Sequence, residues 1–346
     1  MTDSRKHRTI GLCGDRIVYF MRKRGWNYGD LANVSGVSRS NISLLVNNKH
    51  SPTWKIAEKL RSALELESID QLRPINDLQS DSSDKVNEWF LEEALTQWIT
   101  ASNQLQFRIW RMRHEHINKY SRGKCYDLVS MSSAAKEDCK VQLIRHAEVC
   151  SRIQSDFIIS NLTTFEEATG DRWWVIDEWV EGKMMSDFVK EKTIDLSQAK
   201  KISKQVLLAI SVLHEHDIVC RELSPDTVVV KPEGSAILTE FELAKLLDGS
   251  PTVSNQHWKE DLYRAPEADS DNVDARADIY SWARITTELL LGSLPAVDAE
   301  AKALRGIELD KNVREALCKS LSVSRRLRPS SASELIEVFS DWSANE

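Results

Sequence analysis

The chain has 346 residues, of which 41% are hydrophobic and 29% charged, a balance typical of two or three globular domains. No run of about 18 apolar residues occurs, and the first residues contain no apolar signal segment, so we expect a cytoplasmic protein without a membrane span. The net charge of −7 divides unevenly: residues 1–61 carry twelve Lys and Arg against four Asp and Glu, or +8, which leaves −15 for the rest. This basic first part suggests a polyanionic partner.

The cysteines and the paired histidines do not form a recognisable metal site. The six cysteines are scattered without a close pair, which is typical of reduced thiols. His114 and His116, like His214 and His216, have no nearby cysteine or carboxylate pattern that would complete a set of metal ligands. We therefore expect no metal.

Residues 9–70 show short helical patterns divided by glycines. Apolar residues at helical spacing predict two short helices that bury one face, namely Leu31, Ala32, Val37, Ile42 and Leu45. Gly36 lies at the turn between them, where a left-handed backbone is needed, and Ser38 is a suitable N-cap for the second helix. The pattern predicts an all-α bundle.

This part resembles the Cro/lambda-repressor (XRE-like) family of helix-turn-helix domains. The resemblance implies binding to double-stranded DNA through residues 9–61, with the second helix in the major groove and with Arg39 as the leading base-reading residue. Residues expected to assist it at the bases or to contact phosphates are Ser40, Asn41, Ser43, Lys49, Arg22, Lys23 and Arg24. The alternative is a helical module that docks on protein. Helix-turn-helix proteins usually bind as dimers, so a homodimer is possible.

A polar linker is expected at residues 71–86, before a second region at 87–343. Strand-like runs come first, at Phe107–Met112, Tyr126–Met131 and Trp173–Ile176. Long helical patterns dominate after residue 196. A strand-rich portion before a helix-rich portion predicts two lobes, at 87–182 and 183–343.

Six motifs in this region occur in the order of the landmarks of eukaryotic-type serine/threonine protein kinases, which it resembles. They are Cys220–Thr227 for the catalytic loop, Glu240–Glu242 for the metal-binding loop, Val175–Gly182 for the hinge, Tyr263–Glu267, Asp278–Trp282 and Arg328–Pro329. The resemblance implies structural roles for Arg221, Phe241, Glu267, Asp278 and Arg328. It also implies an ion pair between Glu267 and Arg328, and an activation loop that carries Ser250, Thr252 and Ser254.

Several positions depart from the kinase pattern in the helical lobe. Glu222 replaces the aspartate that orients the substrate hydroxyl and takes its proton, which moves the charge one methylene further out. Thr227 replaces the metal-binding asparagine, and Glu240 replaces the principal magnesium ligand. These departures predict that phosphotransfer is lost.

The first lobe departs further from the pattern. Ser102–Phe107 aligns with the glycine-rich loop and contains no glycine. The phosphate-binding lysine aligns near Leu128, and we expect the nearby Lys124 to be exposed. The helix glutamate that pairs with this lysine aligns near His146, with Glu148 as a stand-in. Asp177 aligns with the gatekeeper and would be an unpaired charge.

The sequence thus predicts a multidomain protein, an all-α helix-turn-helix bundle followed by a two-lobed α+β protein-kinase-like fold. The function predicted is a DNA-binding regulator whose catalytically inactive kinase-like domain senses or docks a protein partner. No cofactor is expected, with weak ATP and magnesium binding left open. The alternatives are a divergent active Ser/Thr kinase or other transferase, and a scaffold subunit of a nucleic-acid machine.

Overall fold

The computed structural model describes residues 10–47, 49–66, 68–73, 85–101, 105–129, 131–191, 194–248, 261–340 and 342. Residue contacts divide the chain into two compact units, Met1–Asn87 and Glu88–Glu346. Most of the expected linker and the activation-loop residues Ser250, Thr252 and Ser254 lie outside the described residues. Within the described ranges, every helix is too short or too polar to cross a membrane.

The first unit consists of short helices around an apolar core. The helices are α1 (Gly14–Lys23), α2 (Tyr28–Ser35), α3 (Arg39–Val46), α4 (Trp54–Ala63) and a 3₁₀ turn at Ile69–Leu72. Gly36 ends α2 with a left-handed backbone (φ 64°), and the side chain of Ser38 caps α3 by accepting from the backbone N–H of Asn41. The predicted turn glycine and N-cap are therefore confirmed. Of the five predicted inward residues, Leu31, Val37, Ile42 and Leu45 are buried and Ala32 is half-buried.

The second unit begins with an antiparallel sheet and one long helix. The first unit ends with a short strand, β1 (Lys85–Val86), and the strands of the second unit's sheet are β2 (Trp89–Ala94), β3 (Ile99–Thr100), β4 (Gln106–His114), β5 (Tyr120–Asp127), β6 (Asn161–Glu166) and β7 (Arg172–Glu178). The order across the sheet is β2-β4-β5-β7-β6, and β3 pairs with β4. Helix α5 (Ser133–Arg152), capped by Ser132, contacts β6 and β7.

The register of β5 determines which side chains face the site. Arg122 lies opposite Asp177 in the ladder between β5 and β7, and Lys124 lies opposite Val175. The expected strand at Tyr126–Met131 is wrong, because the strand spans Tyr120–Asp127. Charged side chains occupy the centre of the observed strand, and the apolar run in the sequence continues beyond its last residue. A prediction from hydropathy therefore placed the start of the strand six residues too late.

Helices form most of the rest of this unit. The elements are β8 (Lys183–Met184), α6 (Met185–Glu191), α7 (Leu196–Glu215), β9 (Ile218–Val219), β10 (Val228–Val230), β11 (Ala236–Leu238), β12 (Lys245–Leu246), α8 (Arg276–Leu291), α9 (Glu300–Arg305), α10 (Lys311–Ser320) and α11 (Ala332–Ser340). Helix α8 is buried on almost every side, and the indole of its Trp282 donates to the carbonyl of Ser203 in α7. The sheet with α5 and this helical part fit the expected two-lobed α+β architecture.

Candidate functional site

The loop between β9 and β10 is held by hydrogen bonds to helix α8. The carboxylate of Asp278 accepts the backbone N–H of Cys220 and that of Arg221, each at 2.8 Å. The Nε of Arg221 donates to the carbonyl of Ala268 at 2.7 Å. Arg221 adopts a left-handed backbone (φ 67°), a conformation costing on the order of 1 kcal/mol that persists where its surroundings fix it. The buried Asp278 therefore fixes the loop that carries Glu222.

The loop after β11 carries two carboxylates that meet side chains of β5. Glu240 accepts from Nη2 of Arg122 at 2.5 Å and from Nζ of Lys124, while Glu242 accepts from Lys124 at 2.9 Å. Arg122 and Lys124 share one face of β5 because side chains alternate along a strand. Burial opposes charging Glu240, but Lys124 and Arg122 outweigh it and hold the pKa of Glu240 below its usual range.

Tyr126 extends the same face of β5 by one more position. Its hydroxyl donates to Glu242. Burial and the neighbouring Glu242 raise the pKa of Tyr126 well above its ordinary value, so the phenol stays protonated and serves as a donor. Two cations, two carboxylates and one phenol thus form a connected buried cluster.

The position of Lys124 differs from the one that the sequence alignment predicts. The expectation that Lys124 is exposed, with the site lysine near Leu128, is wrong, because Lys124 is 4% exposed and Leu128 lies beyond the end of β5 in the apolar core. Burial opposes the ammonium charge, yet the carboxylates of Glu240 and Glu242 outweigh it and raise the pKa of Lys124. A lysine whose charge is stabilised by two carboxylates therefore faces the loop that follows β11.

His146 and Asp177 differ from the expectation as well. Asp177 is fully buried but paired: its Oδ1 lies 2.9 Å from Nε2 of His146 and accepts from the amide of Asn161, and its Oδ2 lies 3.6 Å from Arg122. The expectation of an unpaired charge is therefore wrong. His146 contacts Asp177 and the ring of Phe241, and Glu148 lies beside Arg145.

A cavity of about 520 Å³ opens beside the cluster. Its lining includes Phe107 and Ile109 of β4, the three side chains of β5, and Glu222, Thr227, Glu240 and Glu242 from the two loops. Ala101 lies at the cavity edge, and residues 102–104 of the expected phosphate loop lie outside the described residues. The cleft therefore places Lys124 and Glu222 on one cavity.

The donor atoms at the expected metal positions are engaged with protein groups. Both oxygens of Glu240 accept from Arg122 and Lys124. The hydroxyl of Thr227 donates to the carbonyl of Ser224 at 3.0 Å and accepts its N–H at 3.1 Å. Among the described residues, no group of three or more His, Cys, Asp and Glu side chains could hold a metal ion. These residues do not fit a magnesium site in this arrangement.

The protein kinase domain matches residues 110–343, about two thirds of the chain. The chain belongs to the protein kinase domain family. A relative named "Probable serine/threonine-protein kinase PknB" from Lactococcus lactis is 30% identical over 140 residues, 40% of this chain and 22% of the relative. A second relative, named as a probable serine/threonine-protein kinase of Clostridium acetobutylicum, is 27% identical over 219 residues, 58% of this chain and 33% of the relative. The Caenorhabditis elegans kinase pak-2 is 29% identical over 161 residues, 44% of this chain and 30% of the relative.

The relatives correct the predicted function. The prediction of a catalytically inactive body is wrong in the light of these matches, because the relatives are named as serine/threonine-protein kinases. The alternative, a divergent Ser/Thr kinase, fits them better. The aligned part spans only about a fifth to a third of the length of these three relatives.

The kinase landmarks of the helical lobe come together as the alignment expects. Arg328 donates through Nη1 and Nη2 to the two carboxylate oxygens of Glu267 at 2.5 and 3.1 Å, which confirms the predicted ion pair. Phe241 is fully buried against the ring of His146. The pair of Glu267 and Arg328 ties the segment after residue 260 to the turn that precedes α11.

The basic residues of the first unit occupy different environments. Arg39 and Ser40 are exposed at the start of α3, and Asn41 and Ser43 in the same helix are half-buried. Three further basic residues outside α3 are exposed, namely Arg22, Lys23 and Lys49. Arg24, expected to contact phosphates, is half-buried. Its guanidinium donates to the carbonyls of Phe20 and Leu64, so it ties α1 to the end of α4.

Proposed function

We propose that this chain is a divergent serine/threonine protein kinase. The observation that carries the proposal is the buried Lys124, held by Glu240 and Glu242 on the cavity that Glu222 also lines. In kinases a strand lysine grips the nucleotide phosphates, and a carboxylate of the catalytic loop accepts the proton of the substrate hydroxyl. Both kinds of residue are present in this cleft.

The roles follow from the positions of the side chains. Lys124, with Arg122 beside it, supplies positive charge for the phosphates of a nucleoside triphosphate. The hydroxyl oxygen of a substrate serine or threonine forms the new bond to the γ-phosphorus, the bond from that phosphorus to the diphosphate breaks, and the hydroxyl proton passes to Glu222. Glu222 is one methylene longer than aspartate, so the substrate hydroxyl binds correspondingly further from the loop backbone. The protein that carries this hydroxyl is the partner of the kinase domain.

The test measures transfer of labelled phosphate from ATP to a serine/threonine peptide library by the full chain. Lys124→Met and Glu222→Gln should each reduce transfer by about 100-fold or more, since removal of a group acting in the transition state commonly costs that much. Lys119→Met is the matched control, because Lys119 is exposed in the turn between β4 and β5. Transfer that persists in both site variants would overturn the assignment.

We further propose that the first unit binds double-stranded DNA. Support comes from two helices joined at the left-handed Gly36, with Arg39 and Ser40 exposed at the start of the second helix. The net charge of +8 on residues 1–61 favours contact with DNA phosphates. Binding to DNA phosphates weakens steeply as the salt concentration rises, and this separates the DNA proposal from a surface that docks on protein.

In-vitro site selection with the full chain tests the DNA proposal. A defined sequence motif, with binding that weakens steeply as salt rises, is the expected result. Recovery of random sequences with no dependence on salt would contradict it. A palindromic motif would support binding as a homodimer.

A further inference from the structure

Helix α5 is connected to the loop after β11 through a histidine. Kinases join the corresponding helix to the site by an ion pair between the strand lysine and a helix glutamate. Here Lys124 pairs with Glu240 and Glu242, which both belong to the loop. The connection from α5 comes instead from His146, which is 1% exposed and lies against Phe241.

The two ring nitrogens of His146 make different bonds. Nε2 lies 2.9 Å from Oδ1 of Asp177, and Nδ1 lies 3.3 Å from the backbone nitrogen of Phe241, which donates to it. A nitrogen that accepts an N–H carries no proton, so the proton of the neutral ring is on Nε2 and is donated to Asp177. The imidazole also stacks on the Phe241 ring, with centroids 5.6 Å apart.

Asp177 makes the second connection to the same loop. Arg122 lies opposite it in the sheet, 3.6 Å away between Nη1 and Oδ2, and the same guanidinium bonds Glu240. The amide of Asn161 donates to Asp177 at 2.9 Å and fixes the carboxylate. Asp177 therefore orients both residues that hold the loop. Arg122 binds the side chain of Glu240, and His146 binds the backbone N–H of Phe241.

We propose that His146 is a positioning residue that joins helix α5 and strand β7 to the Glu240–Glu242 loop, and that a second proton on its ring releases the backbone of that loop. A proton on Nδ1 would point at the Phe241 N–H, so the bond between them cannot survive protonation. The loop keeps its position when the ring is neutral. The effect of this device on catalysis rests on the proposed kinase function; the effect on the loop does not.

Charged and titratable groups face His146 from each neighbouring element. They are Asp177 from β7, Cys150 from α5 and Glu240 from the loop, and Arg122 from β5 lies 3.6 Å from Asp177. Burial opposes a charged ring, but Asp177 outweighs it and holds the pKa of His146 above its ordinary value. The backbone N–H of Phe241 opposes this rise in pKa, because only the neutral ring can accept its hydrogen bond. Because the backbone N–H of Phe241 donates to Nδ1, the ring is neutral in this structure, and a second proton taken up on acidification is expected to release the loop.

The experiment measures amide hydrogen exchange of the peptide that covers residues 236–246 in the full chain, as a function of pH and corrected for intrinsic exchange. His146→Gln preserves both bonds, since the Gln amide nitrogen can donate to Asp177 and its oxygen can accept from Phe241, but it cannot be protonated. His146→Leu removes both hydrogen bonds and fills the buried position with an apolar side chain. His116→Gln, at an exposed position, controls for a histidine that lies elsewhere.

In the wild type and in His116→Gln we expect protection of this peptide to fall by roughly fivefold on acidification, the change that one net hydrogen bond represents. His146→Gln should keep its protection across the same pH range. The NMR signals of ¹⁵N-labelled histidine should show Nε2–H for His146 at high pH. Equal pH profiles in the wild type and His146→Gln, or Nδ1–H at high pH, would overturn the proposal.

His146→Leu should lose protection at every pH. If it does not fold, the comparison of the wild type with His146→Gln and the NMR titration still decide the matter. Exchange and NMR need no enzymatic activity, so a chain without phosphotransfer refutes the proposed function and leaves this proposal to be judged on the loop. If transfer is measured, kcat should fall on acidification in the wild type, and this part of the fall should be absent in His146→Gln.

Discussion

Replacing Lys124 with methionine removes the shared partner of two buried carboxylates. Methionine fills a similar volume and leaves Glu240 and Glu242 in place. Removing one side of a buried ion pair typically costs about 3–5 kcal/mol, because an uncompensated charge remains buried. Here the cost should lie near the lower limit, about 3 kcal/mol, since Arg122 still pairs with Glu240 and Tyr126 still donates to Glu242.

Urea unfolding followed by tryptophan fluorescence measures this change. Nine of the eleven tryptophans lie after residue 88, so the signal reports the second unit. With a slope of about 3 kcal/mol per M, a loss of about 3 kcal/mol shifts the midpoint by roughly 1 M. Lys119→Met, in the exposed turn, should change the free energy of unfolding by no more than about 0.5 kcal/mol.

A double variant separates charge from packing. Adding Glu242→Gln to Lys124→Met removes one of the two uncompensated carboxylates, so part of the lost stability should return. If Lys124→Met shifts the midpoint no more than Lys119→Met does, the ammonium is not buried between these carboxylates. The reasoning on the cleft would then be refuted together with the assignment of the strand lysine.

Three further outcomes are expected. Glu267→Gln should lower the free energy of unfolding by about 2 kcal/mol in urea titrations, because Arg328 loses a charged acceptor but keeps backbone carbonyls; no change would argue against the clamp. In DNA titrations Arg39→Ala should cost about 1–3 kcal/mol on a selected site, whereas Lys49→Ala should weaken all sequences alike and lower the salt slope by about one. The lowered pKa of Glu240 stabilises the fold above the ordinary glutamate pKa of about 4.3, and this contribution is lost as pH falls through the folded value. Melting temperature should thus fall less steeply on acidification in Glu240→Gln, and parallel curves would contradict this.

The turns of the first unit could be predicted because their signals are local. Gly36 and Ser38 each act within a few residues, one through its backbone freedom and the other through a cap on the next turn. The pair of Glu267 and Arg328 is separated by 61 residues, and only the resemblance to kinases brought it together. Local chemistry and family resemblance thus account for different parts of the structure.

The interior of β5 could not be located from hydropathy. Lys124 is buried and Arg122 half-buried because their partner Glu240 lies in a loop 116 and 118 residues later, and no local pattern shows this. One signal was available: Arg122, Lys124 and Tyr126 occur at a spacing of two, which places them on one face of a strand. Asp177 is similar, since its burial depends on His146, 31 residues earlier.

The cluster of cations and carboxylates that lines the cavity has a consequence for the binding of small molecules. Arg122 lines the cavity, donates to Glu240 and lies 3.6 Å from Asp177, and the flat side of a guanidinium is a surface on which planar rings can stack. A compound that pushes an apolar branch past Arg122 would strip these ions of their partners, at a cost of several kcal/mol. Screening libraries against this cleft should therefore favour flat heteroaromatic compounds over those with bulky hydrocarbon substituents.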